Sequence, residues 1–171
     1  MEPLEDLDTR LLVDLLRDRI SPSKSLGQHY LIDDEVIERT IRLTEEFDSP
    51  LSDDSHVLEV GPGPGSLTLA LLRSDSSVTA IEIDKKSVEH LTRVFRESKE
   101  SLTLEEADAV SERWPKGITH VISNLPYQIS SPIVDRITKY HSTEPIQLSI
   151  LLVQEEFAQR MAMFSAPYDI G

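Results

Sequence analysis

Asn124-Leu125-Pro126-Tyr127 sets an amide, a stiff ring and an aromatic face side by side. The four follow a short apolar run, His120 to Ser123, and precede Ser130-Ser131-Pro132, where a helix should open. At the carboxyl end of a strand this set suits gripping a planar base with polar edges. A strand-ending turn is the competing reading, because Asn and Pro are ordinary turn residues. Upstream lies Gly61-Pro62-Gly63-Pro64-Gly65. Glycines let backbone approach a ligand, and a following helix start offers free amides to an anion. A plain tight turn would use the same residues. The loop is not the dinucleotide fingerprint, since Ser66 stands where that pattern needs a small residue, usually glycine.

Carboxylates recur beside these segments. Glu82 ends an apolar run, 21 positions after Gly61. A carboxylate there can accept both hydroxyls of a ribose, or simply be a solvated strand-end acid. Asp108 follows a third apolar run, where an adenine amino group would need an acceptor; Glu105 and Glu106 compete for that role. Glu59 sits inside the run leading to the glycine loop, so it must be hydrogen-bonded or protonated. From there it can orient the loop or reach a ligand. Phe157 could close one face of a base or pack in the core.

These residues need a frame that brings them to one edge, and the apolar pattern supplies it. From His56 onward, strands alternate with helices. Strands are expected at 57–60, 78–84, 102–108, 120–123 and 147–153, with helices between them and one after the last. That order implies right-handed crossovers and an α/β, doubly wound, mostly parallel sheet. Such sheets bind ligands beyond the carboxyl ends of their strands, where strand order reverses. Before this frame, leucines from Leu4 to Leu16 recur at helical spacing, and Asp33-Asp34 can cap a second helix carrying Ile37, Ile41 and Thr44. Residues 1–22 are expected to form an N-terminal helical extension that serves packing, and 23–171 the main domain. The fifth strand is expected at an exposed edge, which suggests a frame cut short after it.

Composition limits the partners. The chain has 171 residues and a net charge of -14, from 17 basic and 31 acidic residues. An acidic surface repels nucleic acid unless screening shortens its reach. Either there is no polyanion partner, or the protein works in a saline cytoplasm. With no cysteine there is neither a disulfide nor a thiolate metal site, and no metal site is expected. No run approaches a membrane span, and the acidic start lacks a signal peptide's basic residues. A cytoplasmic monomer with no membrane partner is the expectation.

Taken as a row, the segments resemble the S-adenosylmethionine-dependent methyltransferases. More closely they resemble the family that dimethylates adenines in small-subunit ribosomal RNA, with its antibiotic-resistance relatives acting on large-subunit RNA. The strings that carry this are Gly27-Gln28-His29-Tyr30-Leu31, Glu59 to Thr68, Glu82-Ile83-Asp84, Ala107-Asp108-Ala109 and Asn124 to Pro132. The resemblance implies a Rossmann-like class I methyltransferase fold, truncated after the fifth strand, with extra N-terminal helices. With the acidic charge it looks haloarchaeal-like. It implies that Gln28, His29, Leu31 and Gly61 meet the methionine end of the cofactor, Glu82 its ribose and Asp108 its adenine. Glu59, Gly63, Gly65, Ile83 and Ala109 complete the cofactor set, and Asn124 lies between cofactor and target. Asn124, Leu125, Pro126, Tyr127 and Phe157 are the expected catalytic residues. His29 departs from the family, where Asn is usual.

The implied reaction is dimethylation of adenine N6 in ribosomal RNA during ribosome biogenesis, on an immature small subunit. Lys24, Lys85, Lys86 and Arg136 are too few for an RNA-binding patch, so most of the grip is expected from a basic C-terminal domain beyond Gly171. Three rivals remain: an N6-adenine DNA methyltransferase, a nicotinamide-dependent dehydrogenase, and a non-catalytic ribosome-assembly factor of the same fold. The Leu between Asn and Pro disfavours the first, and Ser66 the second.

Overall fold

The computed structural model describes Leu4, residues 7–17 and residues 33–165. Helix α1 (Thr9–Arg17) and helix α2 (Asp34–Glu46) precede the sheet. Then come β1 (His56–Val60), α3 (Ser66–Leu72), β2 (Ser77–Glu82), α4 (Lys85–Val94) and β3 (Leu102–Glu106). After a long connection follow β4 (His120–Asn124), a 3-10 turn (Tyr127–Ile129), α5 (Ser130–His141), β5 (Leu148–Leu152) and α6 (Glu155–Ser165). The sheet order is β3-β2-β1-β4-β5, and every pairing is parallel. This is the expected doubly wound sheet of the Rossmann-like methyltransferases, with β5 at an edge.

Parallel strands are covered on both faces, so their side chains must be apolar in both directions. Alternate residues of β1 show it. Val57 joins Leu67, Leu71, Leu91 and Phe95 in one core, while Leu58 and Val60 join Trp114, Ile118 and Ile133 in the other. Helix α1 presses Leu12 and Leu16 inward, both fully buried. Leu7 and Leu12 belong to the first core, and the Arg73 guanidinium donates to the carbonyls of Leu4 and Leu7. The leucine-rich segment therefore packs on the sheet's own helices. It begins its helix at Thr9 rather than near Leu4, with Asp8 accepting from the Leu11 N–H at 2.7 Å.

Strand ends differ from the expected ones for a local reason. β2 stops at Glu82 because Asp84 turns to cap α4, accepting from the N–H and the hydroxyl of Ser87. β3 stops at Glu106, two residues before Asp108, whose carboxylate instead accepts from the Val110 N–H and the Ser111 hydroxyl. Asp33 caps α2 as its position suggests, accepting from the N–H groups of Glu35 and Val36.

The order reversal lies between β1 and β4. Their ladder pairs Val57 with His120 and Leu58 with Val121, then stops. Beyond it the Ser123 hydroxyl accepts from the Val60 N–H at 2.8 Å. The two strands thus part at their carboxyl ends, and a crevice opens there.

Candidate functional site

A cavity of about 410 Å³ fills that crevice. The end of every strand contributes to its wall: Glu59 to Pro64 after β1, Glu82 and Ile83 after β2, Asp108 and Ala109 after β3. Asn124, Leu125, Pro126 and Tyr127 line it after β4, and Gln154 after β5. The residues that the sequence distributes over 96 positions therefore meet in one hollow. Among Glu105, Glu106 and Asp108, only Asp108 lines it.

The glycine loop reaches the cavity through Gly61 and Gly63. Gly61, Gly63 and Gly65 all have positive φ, at 67°, 56° and 94°. Their amides are already used: Gly61 N–H donates to the Ile81 carbonyl, Gly63 N–H to Glu82 Oε2, and Gly65 N–H to the Pro62 carbonyl. Pro62 and Pro64 have no N–H to offer. Within residues 61–65 the three glycine amides are therefore spent on protein carbonyl and carboxylate groups. Gly65 is also displaced from its expected part. It does not line the cavity; a Cβ there would stand 2.6 Å from a Phe95 ring carbon and 2.8 Å from a Leu91 methyl. Its bare α-carbon lets α4 pack against the loop. Helix α4 holds the loop a second way, through His90 Nε2 at 3.0 Å from the Pro64 carbonyl.

Two carboxyl groups are buried beneath the loop. Glu59 is 1% exposed, and its Oε2 accepts from the Thr68 hydroxyl at 2.6 Å. Burial pushes its pKa up to about 8; the Thr68 bond opposes the rise and the nearby Glu82 adds to it. Glu82 accepts from the N–H groups of Gly63 and Asp84. Burial raises its pKa too, against the pull of those two amides. Glu82 thus joins the tip of the glycine loop to the end of β2. No Lys, Arg or His lines the cavity among the described residues.

After β4, Pro126 lies against Gly61, where a Cβ would meet its ring at 3.6 Å. The Pro126 carbonyl accepts from Ile129 N–H and the Ser130 hydroxyl, and Leu125 N–H donates to Leu152. Asn124 is half-buried, and Tyr127 is 48% exposed. Phe157 is not gathered with them. It lines a second hollow with Arg160 and Met161, and the Arg160 guanidinium lies 5.8 Å from its ring. Tyr127 and Gln128 line both hollows. Gln28, His29 and Leu31 lie outside the described residues.

Several contributors escape a reading of the chain. Trp114 is buried, donates its indole N–H to the Ala109 carbonyl at 2.9 Å, and packs under Arg136. Arg136 donates to the carbonyls of Val110 and Glu112. Together they pin the segment that carries Asp108 and Ala109. A lone tryptophan was the available signal; the pairing with Arg136 is not visible without coordinates. Ser66 lies inside the Glu59-to-Thr68 string, with nothing in the chain to mark its hydroxyl. It lines the cavity, is 3% exposed, and its hydroxyl has no partner.

Comparison with known proteins bears on what such a cavity holds. Residues 20–166 match the family model described as Ribosomal RNA adenine dimethylase. A probable ribosomal RNA small subunit methyltransferase A of Thermococcus gammatolerans is 38% identical over 89% of this chain and 50% of its own length. One from Haloarcula marismortui is 42% identical over 84% of this chain and 48% of its own. The chain spans about half the length of the curated relatives it matches. Among solved structures, a dimethyladenosine transferase from Plasmodium falciparum superposes with a TM-score of 0.63 at 29% identity, covering 76% of this chain and 45% of that one.

Proposed function

The chain belongs to the ribosomal RNA adenine dimethylase family, and on that footing we propose that it carries the methyl-transfer centre for adenine N6 in small-subunit ribosomal RNA. The observation that supports this most directly is the single cavity walled by Glu82, Asp108 and the Asn124-Leu125-Pro126-Tyr127 turn. The residues present fit S-adenosylmethionine. Acidic walls without a cationic side chain among the described residues suit a ligand bearing a sulfonium. Glu82 would hold the ribose and Asp108 the adenine. When bound, the cofactor supplies an electrophilic methyl group, so no metal is needed to activate it.

What remains for the protein is the nucleophile. The lone pair of an exocyclic amine is delocalised into its ring. The Asn124 side-chain carbonyl and the Leu125 backbone carbonyl would accept the amine's two hydrogens and hold them out of plane. Pro126 has no N–H to compete for those acceptors. Tyr127 would stack on the base, a contact worth about 1–3 kcal/mol, and the target must leave its helix to reach it. Catalysis is then alignment for in-line attack. A cytoplasmic, halophilic setting, an immature small subunit as substrate and action as a monomer belong to the same proposal.

The test is transfer of a labelled methyl group to small ribosomal subunits that lack the modification, at high salt. Asn124→Ala should lower transfer about a hundredfold or more while cofactor binding is partly retained. Full activity in that variant would remove Asn124 from the mechanism. Subunit binding with no transfer by the unaltered chain would favour an assembly factor.

A further inference from the structure

We propose that Arg136 is a positioning residue for one wall of the cavity: it holds the turn that carries Asp108, so that this carboxylate is aimed at the exocyclic amine of the cofactor. The role rests on the cofactor reading above. The sheet alone does not fix this wall. β3 is an edge strand with one neighbour, and Asp108 lies two residues past its end. The last bond back to the sheet is from Ala107 N–H to the Glu82 carbonyl. Glu82 and Asn124, by contrast, end strands that have a neighbour on each side. Beyond Ala107 the chain closes its own turn. The Asp108 carbonyl accepts from the N–H groups of Ser111 and Glu112, and its carboxylate from Val110 N–H and the Ser111 hydroxyl. These bonds are local, so they shape the turn without fixing where it points.

Arg136 supplies the outside hold. From α5 its guanidinium donates to the carbonyls of Val110, at 2.7 Å, and Glu112. The same group sits over the Trp114 ring, 5.0 Å from its centroid, and Trp114 donates to the Ala109 carbonyl. A planar fork can bridge two carbonyls at once, which a compact ammonium does not do in that geometry. Among the described residues Arg136 makes no ion pair, although the chain has 31 acidic residues, so its bonds are given to this turn. Val110 is half-buried and Glu112 exposed, so water can take the guanidinium's place at their carbonyls. Losing Arg136 then loosens the turn rather than the core. The helix also reaches the far wall. Its first residue, Ser130, donates its hydroxyl to the Pro126 carbonyl. Helix α5 thus ties the turn after β4 to the turn after β3 across the cavity.

Calorimetric titration of the 171-residue chain with two ligands tests the assignment. One is S-adenosylhomocysteine; the other is its analogue with unsubstituted purine in place of adenine. The unaltered chain should prefer the first about tenfold or more, because only that ligand offers an amine to Asp108. Arg136→Met keeps an apolar stem over Trp114 and should weaken the first about fivefold or more, the second by less than about twofold. Arg136→Lys, which keeps the charge without the fork, should fall between, and it carries the test if the first variant does not fold. In an Asp108→Ala background, Arg136→Met should change neither affinity beyond about twofold, since both residues act through one contact. A merely structural arginine would weaken both ligands alike in either background. That result, or an unchanged preference in Arg136→Met, would overturn the role of Arg136 while leaving the cofactor reading intact. An unaltered chain that binds both ligands equally would overturn the contact at Asp108 and the proposal with it. Binding of neither would bring down the cofactor reading as well.

Discussion

Glu59 is a carboxyl group in an apolar strand, and its ionisation is coupled to folding. Its native pKa, near 8, stands above the ordinary value of 4.5, chiefly through burial. Between those values the native state holds a proton that the unfolded chain has released. Stability is then full below about pH 4.5 and falls as pH rises towards 8. Glu82 has the same sign, since burial raises it too. His56 and His120 have the opposite sign, because burial lowers both, but they act only below their ordinary 6.5. Comparing the original with Glu59→Gln cancels every group but one. Urea unfolding of the ligand-free proteins should show the original losing about 1.4 kcal/mol per pH unit relative to the variant between pH 5.5 and 7.5. Parallel pH profiles would mean that Glu59 ionises in the native state.

The element that organises the cavity is the β1–α3 loop, and its hold on α4 can be measured. Gly65 combines a φ of 94° with a Cβ position already taken by Phe95 and Leu91. Gly117 has a φ of 75° with nothing within 4 Å of its Cβ position. Gly117→Ala therefore reports backbone strain alone, about 1–2 kcal/mol. Gly65→Ala adds overpacking and should cost about 1–3 kcal/mol more. Equal losses in chemical denaturation would show that α4 yields without resistance. Much of this frame was legible, because parallel strands buried on both faces leave continuous apolar runs such as Val57-Leu58 and Val78 to Ile81. The caps of α2 and the row of strand-end residues were legible for the same reason of pattern. What escaped depends on contacts distant in sequence. Asp108 was read as a strand end, but its carboxylate closes a turn beyond β3. That the glycine amides bond to Ile81, Glu82 and Pro62 is not visible in the chain. Arg136 looked like a cation for RNA, yet it sits on Trp114 and two carbonyls.

Across the whole molecule the unresolved tension is charge, since a net -14 must coexist with a proposed RNA partner. Among the described residues the ion pairs are Arg39–Glu46 and Arg42–Glu38, both exposed, so they offset little of the acidic surface. Most carboxylates therefore repel one another across water. At 0.1 M salt that repulsion reaches about 10 Å, and at 1 M about 3 Å. Screening should stabilise the folded chain, because folding brings like charges together. The melting temperature should climb as potassium chloride rises from 0.1 to 1 M and then level off. A gain of about 2 kcal/mol would move it by about 4–8 °C in a chain of this size. Levelling identifies screening, whereas a rise that continues linearly to 3 M would come from salt acting on apolar burial. A melting temperature that stays flat over the first range would show that the acidic surface carries no folding penalty, and the case for a saline setting would lose its physical basis.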